Sequence, residues 1–247
     1  MVRFFRKRFL PDPPPAPFCS AVVVAAGRST RMGERDKIFE ALDGIPVLAH
    51  TLLALERCPA VHEIVVVTRQ ESLVTVGQLC RTYDISKATQ VVIGGETRVK
   101  SVFSGLLSVS SQSELIAIHD GARPFATKEL ITSVIQTAAL CGAAAPAVPL
   151  HDTIKSVSNG VFTGTPDRDA FCAVQTPQVF DAALIKGAIQ KAVEENWPIT
   201  DDCSAVERLG MQVSLVEGLP ENIKLTTPAD FAMAEGICQW RREESFS

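Results

Sequence analysis

The chain has 247 residues, 46% of them hydrophobic, and a formal net charge of −4, which allows a sizeable core in one large α/β domain or two small ones. Its first twenty residues carry Arg3, Arg6, Lys7 and Arg8 against Asp12, so the remainder is more acidic than the whole; this excludes a general nucleic-acid surface and leaves any anionic ligand to a few focused cations. Seven cysteines without CxxC spacing exclude a disulfide framework or zinc ribbon and read as reduced cytosolic thiols, small buried hydrophobes for the most part, and no apolar run reaches the ~18 residues of a membrane span.

Residues 1–20 read as a basic, Pro-rich disordered tail. They lack a continuous apolar stretch of signal-peptide type and are too poor in Ser for a transit peptide. The segment PDPPPAP predicts a stiff, extended linker; a weak membrane-surface or partner contact is the alternative. Beyond the tail, apolar runs at 21–25, 63–68, 89–93, 115–119 and 143–148 are rich in Val, Ile and Ala and predict strands covered on both faces. Between them lie helical patterns at 45–57 with Pro46 near its first turn, at 97–109 with Val99, Val102, Phe103 and Leu106 on one face, and at 127–141, stopping at Gly142. This alternation predicts an α/β fold with a doubly wound, mostly parallel sheet.

From 149 to 176 the pattern changes. Two short strands around Ser158-Asn159-Gly160 predict a hairpin with few apolar residues to stabilise it, hence a projecting arm that packs on another subunit. Helices at 181–194, 201–209 and 227–240 and a strand at 212–217 return the chain to the main domain, leaving 241–247 as a C-terminal tail.

The stretch SAVVVAAGRSTRMG, Ser20 to Gly33, turns from strand into loop where open α/β sheets bind ligands. It matches neither common phosphate fingerprint: Ser29 and Met32 stand where a dinucleotide loop needs Gly, and Met32-Gly33-Glu34 stands where a P-loop needs Gly-Lys-Ser/Thr. The second strand ends in Thr68-Arg69, without the acid that would hold an adenosine ribose. What remains is backbone N–H at Gly27 and its neighbours, with Arg31 and Lys37 supplying charge suited to a triphosphate. The four histidines show no ligand spacing, and no Ser-His-Asp nucleophile set is evident.

Behind AAGRSTRMG the chain carries GGETRVKS (94–101), HDGARPF (119–125), DTIK (152–155), DR (167–168), QTPQVF (175–180), TDD (200–202) and ENIKLTTPAD (221–230). In this order, over about 21–240, the set resembles the family of 2-C-methyl-D-erythritol 4-phosphate cytidylyltransferases of non-mevalonate isoprenoid synthesis. The resemblance implies a Rossmann-like nucleotidyltransferase that joins CTP and methylerythritol phosphate with Mg²⁺, the sugar-phosphate oxygen attacking the α-phosphorus in line.

By the same resemblance, Ala25, Ala26 and Gly27 surround the nucleotide, and Arg31 and Lys37 grip its triphosphate. Gly95 and Ser101 read the cytosine, with Arg98 on the helical face of Ser101. Asp120, with Gly121, binds ribose and supports Mg²⁺. Arg123 lies near the acceptor phosphate or braces its loop. Thr153, Arg168 and Thr176 hold methylerythritol phosphate, Arg168 and Thr176 reaching in from a partner subunit of a homodimer. Lys224 contacts the transferring group.

Together the substrates bring about six negative charges, which Mg²⁺ with Arg31, Lys37, Arg168 and Lys224 balances. His119 is read as a satisfied sheet-end residue, and Asp201 and Asp202 as acids that cap a helix start and complement its dipole. The chain departs from the family's proline-lysine-glutamine run at Asp36-Lys37-Ile38, which places Asp36 to pair with Lys37 or approach Mg²⁺. A sister enzyme acting on ribitol 5-phosphate, and a non-catalytic nucleotide-binding protein, are the rival readings.

Overall fold

The computed structural model describes residues 17–27 and 36–245, with side chains to 243. The first strand, β1 (Cys19–Val24), pairs in parallel with β4 (Glu63–Thr68) on one side and β6 (Leu115–Asp120) on the other. Beyond β4 lies β5 (Ala88–Ile93), also parallel. These are the runs that the sequence marks as apolar throughout, and the reason is visible in the packing. Ala21 and Val23 join one buried cluster with α1 (Val47–Glu56), α2 (Leu73–Thr82) and α4 (Lys128–Cys141). Val22, between them, joins a second cluster with α3 (Arg98–Leu106), α5 (Ala182–Glu194) and α6 (Asp202–Arg208). Successive side chains point to opposite faces of a strand, so helices on both faces require apolar residues at both parities.

Past β6 the sheet is not purely parallel. Strand β11 (Gln178–Asp181) runs antiparallel between β6 and β7 (Ala143–Pro149). β10 (Cys172–Val174) pairs antiparallel with the far end of β7, and β12 (Ser214–Glu217) pairs with β7 in parallel. Two further short strands, β2 (Ala41–Leu42) and β3 (Ile45–Pro46), form a ribbon before α1. The last helix, α7 (Pro228–Ser245), buries Ala234 and Cys238 against Leu42, Val47, Phe125 and Leu225.

Helix ends follow local chemistry. Thr97, Thr127 and Asp181 each accept a backbone N–H as N-caps of α3, α4 and α5, and α4 stops at Gly142, whose φ is +84°.

Three boundaries differ from expectation. Cys19 and Ser20 belong to β1 and are fully buried, and the Phe18 ring stacks on His62, so the expected boundary at 20 falls too late; residues 1–16 lie outside the described residues. Helix α7 extends through Ser245, where a tail from 241 was expected. The hairpin forms as β8 (Ser156–Ser158) and β9 (Val161–Gly164), with Asn159 and Gly160 at φ +50° and +79°. The arm is shorter than 149–176, because Cys172–Val174 rejoins the sheet and Gln175 and Thr176 are buried. Cys141 and Cys172 are exposed and the other five cysteines buried, all seven unpaired.

The closest helix-to-sheet approach predicts a stability contrast. A Cβ on Gly105, in α3, would lie 2.4 Å from Val22 Cγ1 and 2.8 Å from Val67 Cγ2, both buried β-branched side chains with little freedom to move. On Gly187, in α5, a Cβ would meet nothing within 4 Å. Gly187→Ala is therefore expected to gain most of the ~1 kcal/mol helix-propensity difference. Gly105→Ala should lose about 1–2 kcal/mol net, because overpacking outweighs that gain. Urea unfolding midpoints measure both; equal shifts in one direction would contradict the packing.

Candidate active site

The carboxyl ends of β1, β4 and β6 open onto one cavity of about 660 Å³, where ligands bind in open α/β sheets. Ala25, Ala26 and Gly27 follow β1; Gly95, Arg98 and Ser101 come from the turn into α3; Asp120 and Gly121 come from the end of β6; and all eight line the cavity with Lys37 and Lys224. The turn before α3 is tightly built. Ser101 Oγ donates to Gly95 O at 3.2 Å and to Thr97 O at 3.0 Å, and a Cβ on Gly94 would lie 2.7 Å from both Ala26 Cβ and Ser101 Oγ. Arg31 lies outside the described residues.

Asp120 is the electrostatic centre. Its Oδ2 lies 2.9 Å from Lys224 Nζ and 3.4 Å from Arg123 Nε, and its Oδ1 lies 3.9 Å from Arg98 Nε. Burial alone would raise the carboxyl, but Lys224, Arg98 and Arg123 outweigh it and hold the pKa at about 2. Asp120 is therefore ionised throughout the neutral range.

Arg98 is itself anchored. Its Nη1 and Nη2 donate to the two oxygens of Asp202 at 2.9 and 2.6 Å, and that carboxylate is fully buried. Burial would lower the Arg98 guanidinium and raise the Asp202 carboxyl, and each opposes the shift in the other. The forked geometry fixes the guanidinium against the carboxylate. Gln178 fixes the start of α6 beneath it: its Oε1 accepts from the N–H of Asp202 and Cys203, and its Nε2 donates to Asp201.

Asp201 is the N-cap with a full capping box, as expected. Asp202 lies in the first turn of α6, as dipole complementation expects, and is in addition the buried counter-ion of Arg98. The signal in the sequence was the second acid of TDD, since one suffices to cap.

His119 is buried, its Nδ1 2.9 Å from Thr176 Oγ1 and its Nε2 3.2 Å from Arg123 O. The Arg123 carbonyl can only accept, so the neutral ring carries its hydrogen on Nε2 and Nδ1 accepts from the Thr176 hydroxyl, whose oxygen also accepts from the Asp120 N–H. Arg123 Nη1 donates to Asn222 O at 2.7 Å. Arg123 thus braces its loop, one of the two roles left open for it.

Thr176 corrects an expectation. It does not sit on a reaching arm but inside its own chain's site, directly behind Asp120. Arg168 and Thr153 stay on the arm; Arg168 donates to His151 O at 2.6 Å and is exposed, and neither residue lines this cavity. Asp36 pairs with Arg69, a cavity-lining cation that the sequence offered only as a missing acid. Among the described residues no cluster of three or more His, Cys, Asp or Glu side chains is placed to hold a metal, and none of the described helices is long and apolar enough to cross a membrane.

Fold and cavity define a doubly wound α/β domain with one site at the carboxyl ends of its central strands. The IspD family model, described as 2-C-methyl-D-erythritol 4-phosphate cytidylyltransferase, matches residues 19–239. A protein of that description from Halalkalibacterium halodurans is 47% identical over 219 residues, covering 88% of this chain and 96% of the relative. Another, from Caldanaerobacter subterraneus, is 45% identical, covering 87% and 96%. The crystal structure of 4-diphosphocytidyl-2C-methyl-D-erythritol synthase from Anaerococcus prevotii superposes with a TM-score of 0.81 at 33% identity, covering 91% of this chain and 97% of that one. This chain belongs to the 2-C-methyl-D-erythritol 4-phosphate cytidylyltransferase family.

The buried imidazole gives a pH dependence with a definite sign. Burial pushes the His119 pKa down to about 4, against the opposing pull of Asp120. Once unfolded, it titrates near ~6.5. Between those values the unfolded chain takes up a proton that the folded chain refuses, so stability falls as pH drops through this window, by up to ~1.4 kcal/mol per pH unit. His119→Asn, whose Oδ1 can accept from Thr176, is expected to flatten that slope. Urea titrations from pH 7 to 4 in chelator without nucleotide test this; an unchanged slope would assign the limb to other groups.

Proposed function

We propose that this chain joins CTP and 2-C-methyl-D-erythritol 4-phosphate, giving CDP-methylerythritol and pyrophosphate. The observation that carries the reading is a 47% identical relative of that description, aligned over 96% of its length, together with a cavity that gathers four separate segments of the family's motif set. A phosphate oxygen of the acceptor attacks the α-phosphorus of CTP in line; one P–O bond forms, and the bond to the β-phosphate oxygen breaks. No covalent enzyme intermediate is required. The protein's tasks are positioning and neutralisation.

Lys37 and Lys224 line the cavity and take the triphosphate, with Lys224 held in place by Asp120. Arg31 adds a further cation from the loop after β1. The turn 94–101 takes the cytosine, its small residues letting the backbone come close. Asp120 is a buried, ionised oxygen donor, and Mg²⁺ ordinarily needs one or two protein carboxylates, the remaining positions going to phosphate and water. The residues present therefore fit Mg²⁺, held by Asp120 and the nucleotide. Mg²⁺ supplies charge neutralisation of the phosphates and of the leaving pyrophosphate.

The arm supports a homodimer. Val157, Val161, Phe162 and Phe171 are exposed there, an apolar set that a second subunit would cover. In such a dimer Arg168 and Thr153 reach the acceptor phosphate of the partner's site. Seven unpaired thiols fit a reducing, cytoplasmic setting.

Two measurements test these readings. Pyrophosphate release from CTP is expected with methylerythritol phosphate and to be lost without acceptor; faster release with ribitol 5-phosphate would reassign the substrate. An equal mixture of Arg31→Ala and Arg168→Ala proteins should regain part of the activity that each lacks, because a mixed dimer carries one intact site. A mixture as inactive as its components would place each site within one chain.

A further inference from the structure

At the end of β4, Arg69 uses all three guanidinium nitrogens. Nη1 donates to Gly27 O at 3.2 Å; Nη2 donates to Asp36 Oδ2 and to Ser72 Oγ, the latter at 3.3 Å; Nε lies 3.1 Å from Glu71 Oε1. The side chain is 16% exposed and that of Asp36 23%. Gly27 is where the loop after β1 leaves the sheet. Asp36 opens the turn that carries Lys37, its carbonyl accepting from the N–H of Phe39 and Glu40. One guanidinium thus ties Gly27 to Asp36, the residue before Lys37. Ser72 and Glu71, on the first turn after β4, fix the guanidinium in turn.

The residue at the far end of this tie, Asp36, directly precedes Lys37 in the chain. A proline before the lysine would stiffen the backbone by fixing φ. Asp36 cannot do that, but its carboxylate can be anchored.

We propose that Arg69 is a positioning residue: by pairing with Asp36 and holding Gly27 O, it fixes the approach of Lys37 to the nucleotide and replaces the stiffness that a proline would supply. The inference rests on the reaction proposed above. The other Asp36 oxygen, Oδ1, is buried without a hydrogen-bond partner, so removing Arg69 strands a carboxylate beside the phosphate path. That sets the order of the variants. Arg69→Ala should be worse than Arg69→Ala with Asp36→Asn, and Arg69→Ala with Asp36→Pro should be better than either.

The experiment has a structural arm and a kinetic arm, both on the full chain. Hydrogen–deuterium exchange without substrate is expected to rise in peptides covering 36–40 by at least threefold in Arg69→Ala. It should return toward wild type in Arg69→Ala/Asp36→Pro, while strand β6 stays protected. In pyrophosphate release, Arg69→Ala should lower kcat about tenfold to thirtyfold with a smaller change in KM for CTP. In a Lys37→Ala background the same substitution should cost less than twofold.

Unchanged exchange at 36–40 would overturn the tether. An undiminished loss in the Lys37→Ala background, or losses from Arg69→Ala and Asp36→Asn that simply add, would make Arg69 a direct substrate contact instead. If the wild-type chain released no pyrophosphate with any acceptor, the proposed reaction would fail, and the exchange arm would still decide the tether.

Discussion

The site depends on one buried negative charge. Asp120 sits at the end of a central strand with Lys224, Arg98 and Arg123 around it, and those cations come from three different stretches of chain. A carboxylate out of water is costly unless its oxygens are matched by charge and hydrogen bonds, so Asp120 constrains everything that reaches it. The segment around Lys224 must dock, α3 must begin where Arg98 can turn inward, and the loop after β6 must fold back. Arg98 repeats the device one step further out, since its approach requires the fully buried Asp202 and therefore the position of α6. Two carboxylates thereby fix a cavity whose walls are far apart in sequence.

The same economy explains a neutral histidine beside so many charges. An imidazolium at position 119 would face Arg123 and Lys224 while buried. Neutral, with one nitrogen accepting and the other donating, it satisfies the hydroxyl of Thr176 and the carbonyl of Arg123. Thr176 in turn completes the backbone of Asp120. The residues behind the carboxylate are uncharged and saturated, and those in front are charged and mutually paired.

Much of this was legible in the sequence. The five strands β1, β4, β5, β6 and β7 announce themselves because four of them are covered on both faces or nearly so, and Val- and Ile-rich runs have few other uses. Strands β10 and β11 were not legible. They are three and four residues long, and Gln178 looks polar until its amide is seen capping α6 from inside. Ten of the predicted site residues line one cavity while Arg123, Thr153, Arg168 and Thr176 do not, because small residues after a strand and cations at motif positions carry their own signal. Their counter-ions carry none. An Asp beside an N-cap, or an Arg after a strand, reads as surface until tertiary structure buries it. Thr176 misled for a related reason: its neighbours in sequence are an arm, and only strand pairing shows that the arm has ended by Cys172.

These counter-ions bear on how such a cavity treats a polyphosphate. Lys224 is paired with Asp120, and Arg98 with Asp202. An arriving phosphate therefore does not add itself to bare cations; it competes for cations already engaged. That weakens ground-state attraction, which by itself contributes nothing to turnover once substrate saturates. It preserves what the transition state needs, because a side chain held by a buried carboxylate has lost its conformational freedom before the substrate arrives, and no reorganisation is charged to the reaction. A cavity lined by freely moving lysines would bind the triphosphate more avidly and hold it less well. On this view the acids around the site are as much a part of its chemistry as the bases.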